Sequence, residues 1–362
     1  MRVGILGGGQ LARMMALAGA PLGLRLSFVD PAPDACAGVA ATPICAPYDD
    51  PAALDRLADG SDLVTFEFEN VPAAVAARLA DHATVYPPPR ALAVGQDRLH
   101  EKRLFGELGI ATAPYRNVES AGDLLRAAEE IGLPALLKTR TQGYDGKGQR
   151  MLHRPEELAG AWEGQGGVPC LLEGLVPFER EVSLVAVRGR DGEVRYYPLC
   201  ENTHRGGILY RTLARPGDPL QEAAESYARR LLEALDYVGV IALELFVAGE
   251  RLLANEFAPR VHNTGHWTIE GAVTSQFENH LRAICGLPLG DAAPRGHAAM
   301  LNLIGELPDT AAILAIPGAH LHLYGKAPRP GRKIGHISLQ AEDAAVLQKN
   351  LNRAEALVPI FY

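Results

Sequence analysis

The stretch L-K-T-R-T-Q-G-Y-D-G-K-G-Q-R-M, residues 137–151, determines how the rest of the chain can be interpreted. An apolar run at 133–137 leads into Lys138 and predicts a strand, and 149–152 predicts a strand that returns beside it. The polar loop between them contains three glycines: Gly143, Gly146 and Gly148. Because glycines let backbone amides approach a phosphate closely, and two lysines accompany them, the loop is predicted to be a mobile lid over a nucleotide. The alternative is a solvent-exposed hairpin with ordinary turn residues.

The composition is that of a globular protein: 362 residues, 48% hydrophobic and 22% charged, which suits two to three domains. No apolar run reaches membrane-spanning length, and the chain enters a predicted strand at 2–6 without a leader, so we expect a cytoplasmic protein. The net charge of −8 argues against nucleic acid as a partner. The five cysteines are scattered without a C-x-x-C pair, which predicts reduced thiols and no zinc site.

Residues 2–30 predict a strand, a glycine turn, a helix and a second strand. Gly7, Gly9 and Ala12 fit the G-x-G-x-x-G/A pattern, and Asp30 ends the second strand where a ribose-binding acid would lie. One hypothesis is therefore an NAD-dependent oxidoreductase. The alternative is a tight turn needed for helix–sheet packing, with Asp30 as a turn former.

Strands and helices go on alternating up to a triple proline at 87–89, which predicts a small parallel-sheet domain. Glu67 and Glu69 follow the apolar part of a predicted strand at 63–68, and they either face a ligand crevice or belong to the start of the next helix. Further helices are predicted at 97–108, 121–131, 219–235, 275–285 and 341–357, and further strands at 170–173, 181–187, 193–198, 208–213, 239–246, 251–257, 299–304 and 319–323. A cationic loop is predicted from 324 to 336.

Glu244 and Glu256 interrupt apolar runs on the two strands of one predicted hairpin. Two facing carboxylates would repel each other unless a divalent cation lay between them. Magnesium binds through a few carboxylates together with phosphate oxygens, so the pair predicts a metal site for nucleotide chemistry. The alternative is a pair of edge-strand acids that point into solvent.

Arg260, His262 and Asn263 follow Glu256 closely. An arginine presents a planar fork that matches a small planar oxyanion, so this segment is a candidate for binding such an anion next to the metal. The alternative for His262, and for His266, is a hydrogen-bonding scaffold.

Together these residues resemble the ATP-grasp superfamily. The segments G-G-G-Q-L-A-R-M, G-Y-D-G-K-G-Q, E-N-T-H-R-G-G-I-L, N-E-F-A-P-R-V-H-N-T-G-H-W-T and R-P-G-R-K-I-G-H-I occur in this order over nearly the whole chain. Within the superfamily they are similar to the carboxylating ligases of purine biosynthesis that act on 5-aminoimidazole ribonucleotide. Ala12 stands where that family usually has glycine, and we expect only a slight change in helix packing.

The resemblance implies an α/β and α+β architecture: an ATP-grasp fold with an N-terminal Rossmann-like (pre-ATP-grasp) parallel-sheet domain and a small C-terminal domain. The implied domains are residues 1–96, residues 97–290 with a lid subdomain near 110–175, and residues 291–362, which would complete the substrate site. The N-terminal glycine turn would then hold the substrate side and not NAD.

The site residues that follow are also implied by the resemblance. Nucleotide contacts would come from Arg98, Lys138, Gly143, Tyr144, Gly146, Lys147, Gly148, Gln149, Glu173, Gly174, Leu175, Val176, Glu181, His204, Asn255 and Glu256. Magnesium, or manganese, would bind Glu244 and Glu256. Substrate contacts would come from Gln10, Leu11, Glu67, Tyr144, Asp145, Lys326 and Arg332, and the catalytic residues would be Asp145, Arg260, His262, Asn263 and Lys326.

The implied reaction consumes ATP, bicarbonate and 5-aminoimidazole ribonucleotide, passes through carboxyphosphate, and gives ADP, phosphate and a carbamate at the exocyclic amine. The resemblance also implies a homodimer. Two other interpretations stay open: a different ATP-grasp enzyme, such as a formate-using transformylase or a biotin carboxylase-like protein, and a nucleotide-binding regulatory module without activity.

Overall fold

The computed structural model describes residues 1–143 and 147–359, and it begins with a four-stranded parallel sheet in the order β3-β2-β1-β4. Its elements are β1 (Arg2–Leu6), α1 (Gln10–Gly19), β2 (Arg25–Asp30), β3 (Thr42–Cys45), α2 (Pro51–Asp59), β4 (Leu63–Phe66), α3 (Ala73–Ala80) and α4 (Pro89–Gly95). Side chains of β1 alternate between two cores: Val3 and Ile5 pack with α1, whereas Leu6 packs with α2 and α3. The parallel sheet predicted from the sequence is confirmed, both of its faces are covered, and the carboxyl ends of its strands meet at one edge.

A smaller antiparallel sheet carries the glycine loop. Its elements are α5 (Arg98–Glu107), β5 (Tyr115–Val118), α6 (Ala121–Ile131), β6 (Ala135–Thr139), β7 (Gln149–Leu152), α7 (Ala161–Gly164) and β8 (Cys170–Gly174), with the strand order β5-β8-β6-β7. The predicted hairpin is confirmed, with Lys138 opposite Gln149 and Ala135 opposite Leu152. Helix α6 begins where the Ser120 hydroxyl accepts a hydrogen bond from the backbone amide of Asp123 at 3.1 Å.

The remaining chain forms a nine-stranded sheet in the order β14-β13-β9-β11-β12-β15-β17-β16, with β10 beside β9. The elements are β9 (Arg180–Arg188), β10 (Val194–Tyr196), β11 (Cys200–Arg205), β12 (Ile208–Ala214), α8 (Gln221–Ala234), β13 (Gly239–Ala248), β14 (Arg251–Ala258), α9 (Thr268–Gly271), α10 (Gln276–Cys285), β15 (His297–Ile304), α11 (Thr310–Leu314), β16 (Ala319–Leu323), β17 (Lys333–Ala341) and α12 (Ala344–Leu357). Short 3-10 helices lie at Ala20–Leu22, Cys36–Val39, Pro155–Glu157 and Asn263–Gly265.

The C-terminal strands belong to the same sheet as the central ones. Strand β12 pairs antiparallel with β15, placing Arg211 opposite Leu301 and Leu213 opposite Ala299. Strands from both sides of the predicted boundary between residues 290 and 291 therefore belong to one hydrogen-bonded sheet. The division into three domains stays a proposal.

One detail of the predicted tail is wrong. The last four residues of the cationic loop, 333–336, lie in strand β17, because Gly335 and His336 pair with β15 on one side and β16 on the other. Among the described helices, no apolar segment is long enough to cross a membrane.

Candidate active site

Two lysines share one buried carboxylate between the small sheet and α5. The ammonium of Lys138 donates to Glu173 Oε2 at 2.7 Å, and Lys102 Nζ lies 3.6 Å from Glu173 Oε1. Burial alone would raise the pKa of Glu173, but the two lysines hold it below its ordinary value, so the carboxylate is charged. This cluster is buried near the end of β8, whose last residue is Gly174, and the chain leaves the sheet at Leu175 and Val176.

Lys102 was not predicted as a site residue. Its ammonium also donates to the backbone carbonyls of Ala254, at 3.3 Å, and Asn255, at 2.9 Å, so it joins the two sheets. The available signal was its position four residues after Arg98, on the same face of α5. Glu101 was missed as well: it is buried and accepts a hydrogen bond from the Phe257 amide at 2.6 Å.

Arg98 connects the glycine loop with the acidic pair. Its Nη1 lies 2.7 Å from Glu256 Oε2, and its Nη2 lies 3.5 Å from the Gly143 carbonyl. At the far end of the loop, Gly148 has a φ of +69°, and a Cβ there would lie 2.5 Å from Thr139 Oγ1, so this position requires glycine. Tyr144, Asp145 and Gly146 lie outside the described residues.

Glu244 and Glu256 face each other across the β13–β14 hairpin, as predicted. Burial, together with the charge of Glu256, raises the pKa of Glu244 to about 8. Burial would also raise the pKa of Glu256, but Arg98 holds it below its ordinary value. The pKa values of the two carboxylates are therefore shifted in opposite directions, because burial and mutual repulsion act on Glu244 while Arg98 stabilises the charge of Glu256.

The donor set of this pair fits magnesium. Beside the two carboxylates, the side-chain oxygen of Asn255 is buried and accepts no hydrogen bond from the described residues. No group of three or more His, Cys, Asp or Glu side chains within 1–143 and 147–359 forms a complete metal site. A cation here would therefore take its other ligands from phosphate oxygens and water, as magnesium does.

His262 stands beside this pair. Its Nε2 lies 3.2 Å from Glu244 Oε1, and its Nδ1 lies 2.9 Å from the Thr264 hydroxyl. Burial lowers the pKa of His262 well below its ordinary value, and the charge of Arg260 lowers it further, so the imidazole is neutral.

Arg260 reaches from the large sheet to the N-terminal domain. Its Nη2 lies 2.6 Å from Glu69 Oε2, and its Nη1 donates to the Val261 carbonyl at 3.0 Å. Its Nε is buried and has no hydrogen-bond partner among the described residues. An unpartnered buried donor, two residues before the histidine that contacts Glu244, can bind a small anion.

Two further polar pairs involve side chains of the large sheet. His204 Nδ1 lies 2.6 Å from Glu181 Oε2 on the neighbouring strand. Asn263 exchanges side-chain hydrogen bonds with Asn302, at 3.1 and 2.7 Å. Asn263 is therefore already bonded to β15, which favours a scaffolding role.

At the N-terminal glycine turn, the chain supplies its own anion. Glu67 accepts hydrogen bonds from the backbone amides of Gly9 (2.8 Å), Leu11 (3.1 Å) and Ala12 (3.3 Å). Asp30 accepts from the Gly8 amide at 2.8 Å. The amides that would bind a dinucleotide phosphate at a helix N-terminus are thus already bonded, which favours the packing interpretation of the G-x-G pattern.

The same turn meets the C-terminal tail. Lys326 donates to the side-chain oxygen of Gln10, and burial lowers the pKa of Lys326. Arg332 is only partly buried and donates to the Ala327 carbonyl at 3.3 Å. The structure therefore brings Lys326, Gln10 and Glu67 together and leaves Arg332 at the rim.

Three family models match the chain. They are described as the ribonucleotide synthetase preATP-grasp domain (residues 1–96), the ATP-grasp domain (residues 103–277) and the phosphoribosylaminoimidazole carboxylase C-terminal domain (residues 298–350). Together with the buried lysine cluster between the two antiparallel sheets and the acidic pair of the β13–β14 hairpin, these matches define the class of protein as an ATP-grasp ligase.

The relatives narrow this class further. The N5-carboxyaminoimidazole ribonucleotide synthase of Pseudomonas aeruginosa is 56% identical over 99% of both chains. The solved structure of the synthetase from Thermus thermophilus is 56% identical with a TM-score of 0.95, covering 99% of each chain. That of the synthase from Aspergillus clavatus in complex with ADP and 5-aminoimidazole ribonucleotide is 30% identical with a TM-score of 0.91, covering 99% of this chain and 98% of that one. The chain belongs to the N5-carboxyaminoimidazole ribonucleotide synthase family.

Proposed function

We propose that the protein carboxylates 5-aminoimidazole ribonucleotide with bicarbonate at the expense of ATP, giving N5-carboxyaminoimidazole ribonucleotide, ADP and phosphate in purine biosynthesis. The observation that carries the proposal is the acidic pair, with Arg98 bonded to Glu256 and His262 next to Glu244. Arg260, two residues before His262, has a buried Nε without a partner among the described residues. This arrangement matches a reaction in which ATP first phosphorylates a small oxyanion.

The nucleotide end of the site binds and orients ATP. Lys138 and Lys147, with the glycine amides of the lid, would hold the phosphates, and the lid would close over them. Lys102 would support this end of the site through Glu173. Glu181 and His204, with the segment after Glu173, would surround the base and ribose. Magnesium or manganese on Glu244 and Glu256 would supply charge neutralisation between phosphate oxygens.

Bicarbonate is a weak nucleophile that must be held in position for attack on the terminal phosphate of ATP. Arg260 offers its Nε, which has no partner among the described residues, and its outer guanidinium edge for two of the oxygens, leaving the third to attack. Neutral His262 can donate or accept a proton at the same place. The resulting carboxyphosphate is labile in water, so a closed lid protects it as well as positioning it.

The ribonucleotide would enter between the N-terminal turn and the tail. Lys326 and Arg332 provide cations for its phosphate, while Gln10 and Leu11 form the wall. All observed hydrogen bonds of Glu67 are to backbone amides. It would therefore accept a further hydrogen bond from the substrate with its remaining lone pairs, or hold the glycine turn in the shape that the substrate contacts. Tyr144 and Asp145 at the lid tip would approach the amine, with Asp145 steering or accepting its proton.

The test is ADP formation with each combination of bicarbonate and 5-aminoimidazole ribonucleotide. We expect full turnover only with both, and a chemical assay of the carbamate product should match the ADP formed. Full turnover with formate, or with another amine in place of the ribonucleotide, would refute the proposal.

We also propose that the enzyme is a cytoplasmic homodimer. The homodimer is carried by the family resemblance, and light scattering at micromolar concentration tests it: a monomeric mass would contradict it.

A further inference from the structure

Lys326 rests on an aromatic ring. Its ammonium, bonded to Gln10, lies 5.8 Å from the centroid of the Tyr324 ring, within the range of a cation–π contact. Tyr324 is only 2% exposed, and its backbone amide donates to the Ile334 carbonyl at 3.0 Å, so the ring forms a fixed floor beneath the cation.

The orientation of that ring depends on His336. The Tyr324 hydroxyl lies 2.7 Å from His336 Nδ1, and His336 is fully buried. The His336 ring is stacked on His322, with centroids 4.4 Å apart and planes 7° from parallel, and it also contacts His266 at 4.8 Å. The imidazole therefore has little freedom to turn away from the tyrosine.

Two further contacts hold the stacked histidines in place. His322 Nε2 lies 2.8 Å from Glu270 Oε1. Gly335 lets β16 and β17 approach closely, because a Cβ there would lie 2.6 Å from the His322 carbonyl oxygen. His266 and Glu270 belong to the segment that follows Arg260, so the contacts run from the anion-binding region to the tail.

We propose that Tyr324 and His336 are positioning residues that hold Lys326 at the phosphate of the ribonucleotide. This inference rests on the proposed function, in which Lys326 binds that phosphate. The hydrogen bond to an immobilised imidazole fixes the tyrosine ring, and the fixed ring restricts the side chain of Lys326. Because Lys326 is already ordered, less conformational entropy is lost when the substrate binds.

The test separates the Michaelis constants of the two substrates. Tyr324→Phe keeps the ring and loses the hydroxyl, so the KM for 5-aminoimidazole ribonucleotide should rise about 3- to 10-fold, the equivalent of one net hydrogen bond. The KM for ATP should stay unchanged. His336→Leu should have the same effect, and His336→Asn, which offers a polar atom near the position of Nδ1, should restore most of the loss.

The double variant Tyr324→Phe/His336→Leu should have the same KM for the ribonucleotide as His336→Leu alone, because both changes remove the same hydrogen bond. Tyr197→Phe is the matched control: its hydroxyl is equally buried but is bonded to Thr274 and Asn279, so it should lower the melting temperature without changing either KM.

An unchanged ribonucleotide KM in Tyr324→Phe, or parallel rises for both substrates, would overturn the positioning role while leaving the proposed function intact. If wild-type protein formed no ADP in response to the ribonucleotide, the proposed function and this inference would both fall. If His336→Leu does not fold, Tyr324→Phe and His336→Asn decide the matter.

Discussion

Replacing Arg260 by lysine separates anion use from nucleotide binding. The guanidinium bonds Glu69 at 2.6 Å and the Val261 carbonyl at 3.0 Å, and its Nε has no partner among the described residues. A lysine ammonium can keep the charge near Glu69. It cannot reproduce the planar fork that would meet two oxygens of bicarbonate.

The expected loss follows from one missing charge-assisted hydrogen bond. Such a bond contributes about 1.5–3 kcal/mol, which corresponds to a fall of roughly 10- to 150-fold in kcat/KM for bicarbonate. The affinity for ATP should hardly change, because the described contacts of Arg260 involve none of the predicted nucleotide ligands. Added bicarbonate should restore turnover only partly.

The assay is bicarbonate-dependent phosphate release, measured beside ATP binding by calorimetry on the same protein. Arg2→Lys serves as the control, because Arg2 also forms an arginine–carboxylate ion pair, with Asp62 at 2.8 Å. That pair is exposed and lies at the start of β1, whereas the glycine turn follows the end of that strand. Equal losses of ATP affinity and phosphate release would refute the reasoning and show that Arg260 holds the fold or the nucleotide.

Three other outcomes are expected. Glu256→Gln should stay folded yet lose most ATP turnover, because it removes one carboxylate from the metal pair, and near wild-type turnover at modest magnesium would contradict this. NADH should not bind, since Glu67 already occupies the amides of the glycine turn, and a fluorescence titration showing tight binding would revive an oxidoreductase. Burial lowers the pKa of His280 to about 3 from 6.5, so the unfolded chain binds a proton that the folded one does not. Stability should therefore fall as pH drops below 6.5, by about 1.4 kcal/mol per pH unit from this group. Urea unfolding of His280→Gln between pH 6 and pH 4.5 should show a shallower dependence, and an unchanged slope would be the contrary result.

The sequence predicted best what is local. The lid hairpin was predicted with its returning strand at 149–152, because a polar loop with three glycines follows the apolar run at 133–137. The facing of Glu244 and Glu256 followed from a hairpin with a short turn. Both depend on residues within about twenty positions of each other, a distance over which turn chemistry fixes register.

What escaped prediction depends on distant partners. In the sequence, Lys102 and Glu101 have the pattern of ordinary polar residues on an amphipathic helix. In the structure both side chains are buried against β14, where Lys102 donates to the Asn255 carbonyl and Glu101 accepts from the Phe257 amide. The choice between Glu67 and Glu69 could not be made either, since it depends on Arg260 reaching Glu69 from the large sheet. Helix periodicity carries no information about such contacts.

The continuous pairing of β12 with β15 has a consequence for shortened forms of the chain. A protein that ended near residue 290 would leave one side of β12 without its partner, exposing a row of unpaired amides and carbonyls. Such an edge is a template for pairing with other copies, and buried Leu209 and Tyr210 would be uncovered with it. Loss of the tail would accordingly give intermolecular aggregation and not a smaller enzyme with a weakened substrate pocket.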